Sequence, residues 1–223
     1  MAAGLREVLR VLTWIAFAVA PAAHGAADVG LINQLSGEVT YSSGATVAKA
    51  QAFMKIRDGD RIAVPAGGAV RVVYFQGGRQ ESFVGPASFT AGAQQSSVQS
   101  GAQPRVTTLP AGVPQKISQT PELIQIAKLG RTGGVAVRGL GREPRLTPQQ
   151  QAEVRQARET YQKMRVEAAP DDITAELYLY SVLQDHLLYA EMKPVVEEMA
   201  KRQPGNPDVA DLKAYVLAKL EGK

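Results

Sequence analysis

The chain has 223 residues, of which 45% are hydrophobic and 21% charged, a composition typical of a globular protein with a packed core. Its 25 basic and 21 acidic residues give a net charge of +4, an excess too small to indicate nucleic-acid binding. The absence of cysteine excludes disulfide bonds and thiolate metal sites, so we expect stability to come from packing.

The first 27 residues have the organisation of a Sec-type secretory signal peptide. Arg6 and Arg10 precede the uncharged apolar run VLTWIAFAVA, which Pro21 ends. This run is shorter than the roughly 20 residues that a membrane-spanning helix needs, and small residues follow it at positions 25–27. We predict a signal peptide at 1–27 and a periplasmic or secreted mature protein without an integral membrane span. The alternative is an uncleaved membrane anchor.

Residues 28–108 are predicted to form a β domain, because Gly-containing turns separate short runs of β-branched and aromatic residues. The most regular strand is AVRVVYF, at 69–75. Its partner QESFVG follows the turn QGGR, where Gly77 and Gly78 accept positive φ angles. We predict further strands in SGEVTYSSG, ASFTAG and SSVQS. No helical pattern lies between them, which favours an all-β sandwich, roll or solenoid-like stack over a parallel α/β sheet.

The motifs SGEV, IRDGDRIAV and AVRVVYFQGGRQESFVGP resemble those of the FecR-type domain of bacterial envelope proteins, over about residues 27–101. The downstream VAVRG is similar as well. The resemblance implies a periplasmic β domain, which in some members of the family transmits signals to a membrane-tethered anti-sigma partner. This sequence shows neither the anti-sigma helical region nor the membrane span before the domain, so the resemblance implies the fold more directly than signalling.

Residues 109–146 are predicted to be a Pro/Gly-rich basic connector. A short helix is predicted at 121–129, with Thr120 as its cap and Gly130 at its end. The cations that follow form either a contact for an anionic envelope polymer or acidic protein, or a solvated linker. The five candidate residues are Lys128, Arg131, Arg138, Arg142 and Arg145.

Residues 147–223 are predicted to be α-helical. Thr147, Pro148 and Gln150 open the first helix as N-cap, first helical residue and capping-box partner. Three more helices are predicted in ITAELYLYSVLQDHLL, AEMKPVVEEMAKRQ and DVADLKAYVLAKL, and Pro194 is predicted to distort or restart the third helix.

These helices contain an internal repeat. A shift of about 35 residues aligns Tyr180 with Tyr215, and a period near 34 residues with paired helices is typical of tetratricopeptide (TPR) hairpins. The segment YAEMKPVVEEMAKRQPGN resembles the second helix and exit turn of such a repeat, with Met192 and Met199 where alanine is usual. We predict a degenerate TPR-like array of about two repeats, which needs the β domain or a partner chain for stability.

No combination of residues indicates catalysis. His186 is the one histidine after the signal peptide, and the sequence has no G-x-S-x-G motif. Asp171-Asp172 precedes a helix, and Glu197-Glu198 is predicted to lie on a solvated helix face. Asp58-Gly59-Asp60 is predicted to be a turn, because two carboxylates are too few for calcium. We predict no enzyme activity, no metal and no cofactor.

The predicted function is a non-catalytic exported binding or scaffold protein that mediates protein–protein interactions in the bacterial cell envelope. Stacked helices offer a groove to a protein, and helical tyrosines offer aromatic surface unless they form the core. One alternative is an accessory module that binds glycan or peptidoglycan through aromatic residues of the β domain. Another is a FecR-type signalling component without its own membrane span. The tyrosine candidates are Tyr161, Tyr178, Tyr180, Tyr189 and Tyr215, and the glycan candidates are Tyr74, Phe75, Phe83 and Phe89.

Overall fold

The computed structural model describes residues 27–131 and 144–222. Two antiparallel β-sheets come from residues 28–108 and a set of helices from residues 113–220, so the fold is α+β with the predicted order of its two halves. The signal peptide predicted at 1–27 lies outside the described residues except for Ala27, and so does the strand suggested for VAV at 135–137.

Ten strands occur in the described residues, and they form two sheets of five strands each. The shared sheet, so named because it contacts both the other sheet and the helices, has the order β10-β7-β6-β1-β4; the outer sheet has the order β3-β2-β5-β8-β9. The strands are β1 (Asp28–Ser36), β2 (Thr40–Ser43), β3 (Thr46–Lys49), β4 (Lys55–Arg57), β5 (Arg61–Val64), β6 (Ala69–Tyr74), β7 (Arg79–Val84), β8 (Ala87–Ala91), β9 (Ser96–Ser100) and β10 (Arg105–Thr108).

The predicted hairpin is present as β6 and β7, with Val73 paired to Gln80. Gly77 and Gly78 both have positive φ angles, of 77° and 63°. A Cβ atom on Gly78 would also lie only 2.8 Å from the carbonyl oxygen of Leu109, so this turn requires glycine for space as well as for conformation.

Strands β1 and β6 of the shared sheet are buried on both faces, because neighbouring residues in a strand point to opposite sides. Ile32 and Val72 face the outer sheet and belong to the sandwich core. Leu31 and Val73 face the other way and belong to a second core, which the sheet forms together with the helices. The molecule therefore has three layers, with the shared sheet in the middle.

In the described part of the chain, six helices form the third layer, and α3 to α6 pack in succession, each on the next. Short loops join them, so neighbours run antiparallel. Helix α1 packs on α4 and α2 packs on α6. The helices are α1 (Val113–Ile117), α2 (Thr120–Arg131), α3 (Pro148–Glu167), α4 (Thr174–Asp185), α5 (Tyr189–Arg202) and α6 (Pro207–Leu220).

The helical array shares its core with the β domain. Leu31 and Val73 of the sheet lie in one apolar cluster with residues of every helix. Phe53 joins this cluster from the loop before β4, with a positive φ angle of 60° that is unfavourable for an aromatic residue. Burial of its ring offsets that cost, because a fully buried Phe side chain contributes about 1.5–3 kcal/mol.

The helix boundaries test two local predictions. The capping box of α3 is confirmed, because the backbone N–H of Gln150 donates to the Thr147 hydroxyl and Thr147 N–H donates to the Gln150 side chain. Pro194 was predicted to distort or restart the third helix, and the restart is wrong, since α5 runs unbroken from Tyr189 to Arg202. Pro194 lies inside α5 and lacks the N–H that would donate to the carbonyl of Ala190, so the helix continues with one intrahelical hydrogen bond fewer. Among the described helices, none combines the length and apolar character needed to cross a membrane.

Candidate binding cleft

The helix-facing side of the shared sheet changes character from one edge to the other. At Leu31 of β1 and Val73 of β6 this face is apolar, and helices cover it. Toward β7 and β10 it becomes polar, because the register aligns Arg105 with Ser82 and Ser82 with Arg71, and places Thr107 beside Gln80. The helices leave this polar part of the sheet partly uncovered.

A cavity of about 230 Å³ lies over the polar part of the sheet. Its second wall comes from the C-terminal end of α3 and the start of α4, so both halves of the protein contribute to it. We call it the seam cleft; the polar side chains that line it are Arg71, Gln80, Ser82, Arg105, Thr107, Thr108, Lys163, Glu167, Asp172 and Thr174.

A buried hydrogen-bond network forms the floor of the seam cleft. Gln80 Nε2 donates to Asp172 Oδ2 over 2.7 Å, and the backbone N–H of Thr174 donates to Asp172 Oδ1 over 2.9 Å. The Thr174 hydroxyl accepts a hydrogen bond from Asn33 Nδ2 and lies within reach of both Asp172 and Gln80. All four residues are buried. This seam network, Asn33, Gln80, Asp172 and Thr174, therefore joins β1 and β7 to the start of α4.

Arg71 lies beside the seam network and donates hydrogen bonds to neighbouring side chains. Its guanidinium donates to Ser82 Oγ and to the Gln34 side chain, and it lies 3.4 Å from Asp171 Oδ1. Burial alone would raise the pKa of Asp171, but the hydrogen bond from Gln34 and the charge of Arg71 together lower it. Arg71 thus holds the loop before α4 against the sheet.

The rim of the seam cleft carries two cations, Arg105 and Lys163. Arg105 and Lys163 are both exposed, and neither makes an ion pair within the residues that the structure describes. Glu167 is the exposed carboxylate of the same wall, whereas Asp172 is buried in the seam network. The exposed side chains of the cleft therefore carry a net positive charge, which favours a ligand with carboxylate groups.

The basic residues predicted in the connector lie elsewhere. Lys128, on α2, forms a 2.6 Å ion pair with Asp208, and Arg145 is exposed just before α3. The side chain of Arg131, and the whole of Arg138 and Arg142, lie outside the described residues. Helices α1 and α2, in the first part of the connector, contribute buried residues to the core that the shared sheet forms with the helices, which we call the joint core.

The predicted tyrosine surface is divided between core and surface. Tyr180 and Tyr215 are buried, whereas Tyr161, Tyr178 and Tyr189 are half-buried and pack against the same core. The rings of Tyr189 and Tyr215 meet edge to face, with centroids 6.2 Å apart. These five rings therefore stabilise the packing of the helices, and three of them retain some exposed surface.

The aromatic residues predicted as glycan contacts have little free surface. Tyr74, Phe83 and Phe89 are fully buried between the two sheets, and the rings of Phe83 and Phe89 stack at 3.9 Å. Phe75 is half-buried and packs against the joint core. The β domain thus uses these rings for its own stability rather than as an exposed platform.

The remaining residues considered as possible sites are the Asp58-Gly59-Asp60 turn and His186. The Asp58-Gly59-Asp60 turn is confirmed, because Gly59 has a φ of 87° and Asp60 accepts the backbone N–H of Arg57 within the turn. His186 ends α4, with its Nε2 3.2 Å from a Glu153 carboxylate oxygen. In residues 27–131 and 144–222, no group of three or more histidine or acidic residues is arranged to hold a metal ion.

One buried acid of the helical array was not identified from the sequence. Glu176 is completely buried on α4, where Arg165 donates to it and Arg202 lies 3.3 Å away. Burial raises the pKa of Glu176 above its ordinary value of 4.5, although the two guanidinium groups oppose this shift. Tyr161 also donates to its carboxylate.

The raised pKa of Glu176 predicts a pH dependence of stability. Because the folded pKa exceeds the unfolded value of 4.5, the stabilising contribution is complete below pH 4.5 and is lost as the pH rises through the folded pKa. Urea denaturation at a series of pH values from 4.5 upward should show that the wild-type protein loses stability relative to Glu176→Gln as the pH rises. Asp171→Asn is the control of opposite sign, because the lowered pKa of Asp171 contributes stability above pH 3.8 that is lost on acidification. A constant difference between wild-type and Glu176→Gln at all pH values would contradict the prediction.

Comparisons with known proteins add no assignment: no model of a protein family matches the chain, and neither a curated protein nor a solved structure matches it.

Proposed function

We propose that this chain is a non-catalytic exported protein of the bacterial cell envelope that binds another protein and acts as a scaffold. The observation that carries the proposal is the seam cleft, which the β domain and the helical array build together. Clefts at the junction of two structural units are common binding sites, because each unit supplies one wall.

Four features support this proposal. The joint core and the seam network hold the two walls in a fixed relation, which lowers the entropy lost on binding. The resemblance of 27–101 to FecR-type domains favours an envelope location, and the TPR-like character of 147–223 favours a protein partner. The strand β1 begins at Asp28, directly after the proposed signal peptide, so cleavage near residue 27 would leave the sheet intact.

Site-specific photocrosslinking in intact cells tests the proposal. A benzophenone amino acid at Thr107, in the seam cleft, should give a covalent adduct with one envelope protein, which mass spectrometry identifies. The same amino acid at Ser97, exposed on β9 of the outer sheet, is the matched control and should give no such adduct. Equal labelling at the two positions, or adducts with peptidoglycan alone, would contradict a protein-binding cleft.

The exported location has a separate test. Intact-mass measurement of the protein purified from its host should show an N-terminus between residues 25 and 28, because the small residues there fit signal peptidase. A mature chain that still carries Arg6 and Arg10 would show that the segment is retained, and the proposal of a freely exported protein would then be wrong.

A further inference from the structure

We propose that the occupant of the seam cleft is an extended acidic segment of the partner protein, which adds to the shared sheet as a further strand beside β10. This inference rests on the proposed function and specifies the chemistry of the partner. Addition of a strand to an open sheet edge is a common form of peptide recognition, in which backbone hydrogen bonds give affinity and side chains give specificity.

The strand β10 forms one edge of the shared sheet, as the structure describes it. This strand is at the end of the shared sheet, and among the described residues no strand pairs with its outer edge. Leu109 N–H donates to Gly78 O over 2.7 Å, which continues the β7–β10 ladder. Because hydrogen bonding alternates along an antiparallel pair, the backbone groups of Arg105 and Thr107 point toward β7, and those of Val106 and Thr108 point away.

The exposed backbone groups border the seam cleft. Thr108 and the two residues after β10 line the cavity, and Lys163 and Glu167 of α3 lie on its far side. A segment of about four to six residues would span the length of β10 at roughly 3.4 Å per residue. It would exchange hydrogen bonds with Val106 and Thr108 and direct alternate side chains into the cleft.

Charge determines which segment fits. Side chains directed into the cleft meet Arg105 and Lys163, which have no ion pair within the described residues. Glu167 is the opposing exposed charge, and Arg71 and Asp172 are engaged in the floor. An Asp or Glu side chain on the bound segment would therefore pair with Arg105 or Lys163. A second copy of this chain would instead bring two sets of these cations together, so we favour a foreign acidic segment.

The test is a displayed library of random decapeptides, selected on the exported chain purified from its host. We expect enriched peptides with β-branched residues alternating with Asp or Glu. The double variant Arg105→Glu/Lys163→Glu should bind these acidic peptides at least about tenfold more weakly and should enrich Lys- or Arg-containing peptides instead. The matched control is Arg61→Glu/Arg155→Glu, which changes the charge equally at two exposed positions outside the cleft and should leave the selection unchanged.

The strand geometry has its own test. Val106→Pro removes an outward-facing N–H without removing a hydrogen bond to β7, so the variant should fold but bind the selected peptide at least about fivefold more weakly. Peptide binding should slow hydrogen exchange at the Val106 and Thr108 amides. Selection without acidic bias, or exchange protection elsewhere, would overturn the inference while crosslinking at Thr107 could still support the proposed function. Loss of both crosslinking and selection would overturn the two together.

Discussion

Replacing Asp172 with alanine should lower the free energy of unfolding by about 3 kcal/mol. The carboxylate accepts hydrogen bonds from Gln80 and from the Thr174 backbone in a site where all three residues are buried. Its removal leaves these groups without partners, and each unsatisfied buried group costs about 1–3 kcal/mol. Urea denaturation followed by circular dichroism measures the change.

Asp171→Ala is the matched control for this prediction. Its carboxylate is 53% exposed, and the buried Arg71 keeps its contacts with Ser82, Gln34 and Asp172 when that carboxylate is removed, so the substitution should cost at most about 1 kcal/mol. Equal effects of the two substitutions would show that the seam network does not contribute as proposed. Thr174→Val, which removes the hydroxyl but keeps the side-chain shape, should resemble Asp172→Ala.

Replacing either Leu31 or Ile32 with alanine should lower the free energy of unfolding by about 2–5 kcal/mol, the range for truncation of a buried aliphatic side chain. The two residues are adjacent in β1, both are fully buried, and they point to opposite cores. Because the shared sheet is common to both cores, we expect each variant to unfold in one cooperative transition seen at every wavelength.

Two-step unfolding of these variants would contradict the prediction. If Ile32→Ala weakened only the β domain and Leu31→Ala only the helices, unfolding would show two steps, and the sheet would not couple the layers. Val84→Ala is the surface control, because Val84 on β7 is 71% exposed and its truncation should change stability by less than about 0.5 kcal/mol.

The features that could be predicted from sequence are local ones. The β6–β7 hairpin follows from a regular apolar strand and a turn that needs two glycines. The start of α3 follows from Thr147 and Gln150, which are three residues apart. In both cases, the residues that decide the structure are neighbours in the chain, so their pattern is visible without knowledge of the fold.

Strands β1, β3, β4 and β10 were not predicted from the sequence, and β3 is a four-residue strand whose residues are all exposed. A register shift between Ile32 and Gln34 interrupts the alternation of β1, so no simple two-residue period is visible. β4 has only three residues, and β10 is a mostly polar edge strand. Their assignment depends on the partner strands rather than on their own composition.

The candidate site was not predictable from the sequence because it is assembled across long separations. Asn33 and Thr174 are 141 positions apart, and Gln80 and Asp172 are 92 apart. The pair Asp171-Asp172 was identified only as acids before a helix, and that position alone does not reveal its contacts with the sheet. Arg105 and Lys163 likewise become neighbours of one cavity only through the packing of α3 beside β10.

The packing of α2 against α6 limits how the molecule can be divided. Residues that precede the helical array in the chain cover its final helix, and α1 covers α4. A fragment that begins at residue 147 would therefore expose the apolar sides of both helices, and a fragment that ends at 108 would expose Leu31 and Val73. Truncation at either apparent domain border should yield insoluble material, so interaction mapping requires point substitutions in the intact chain.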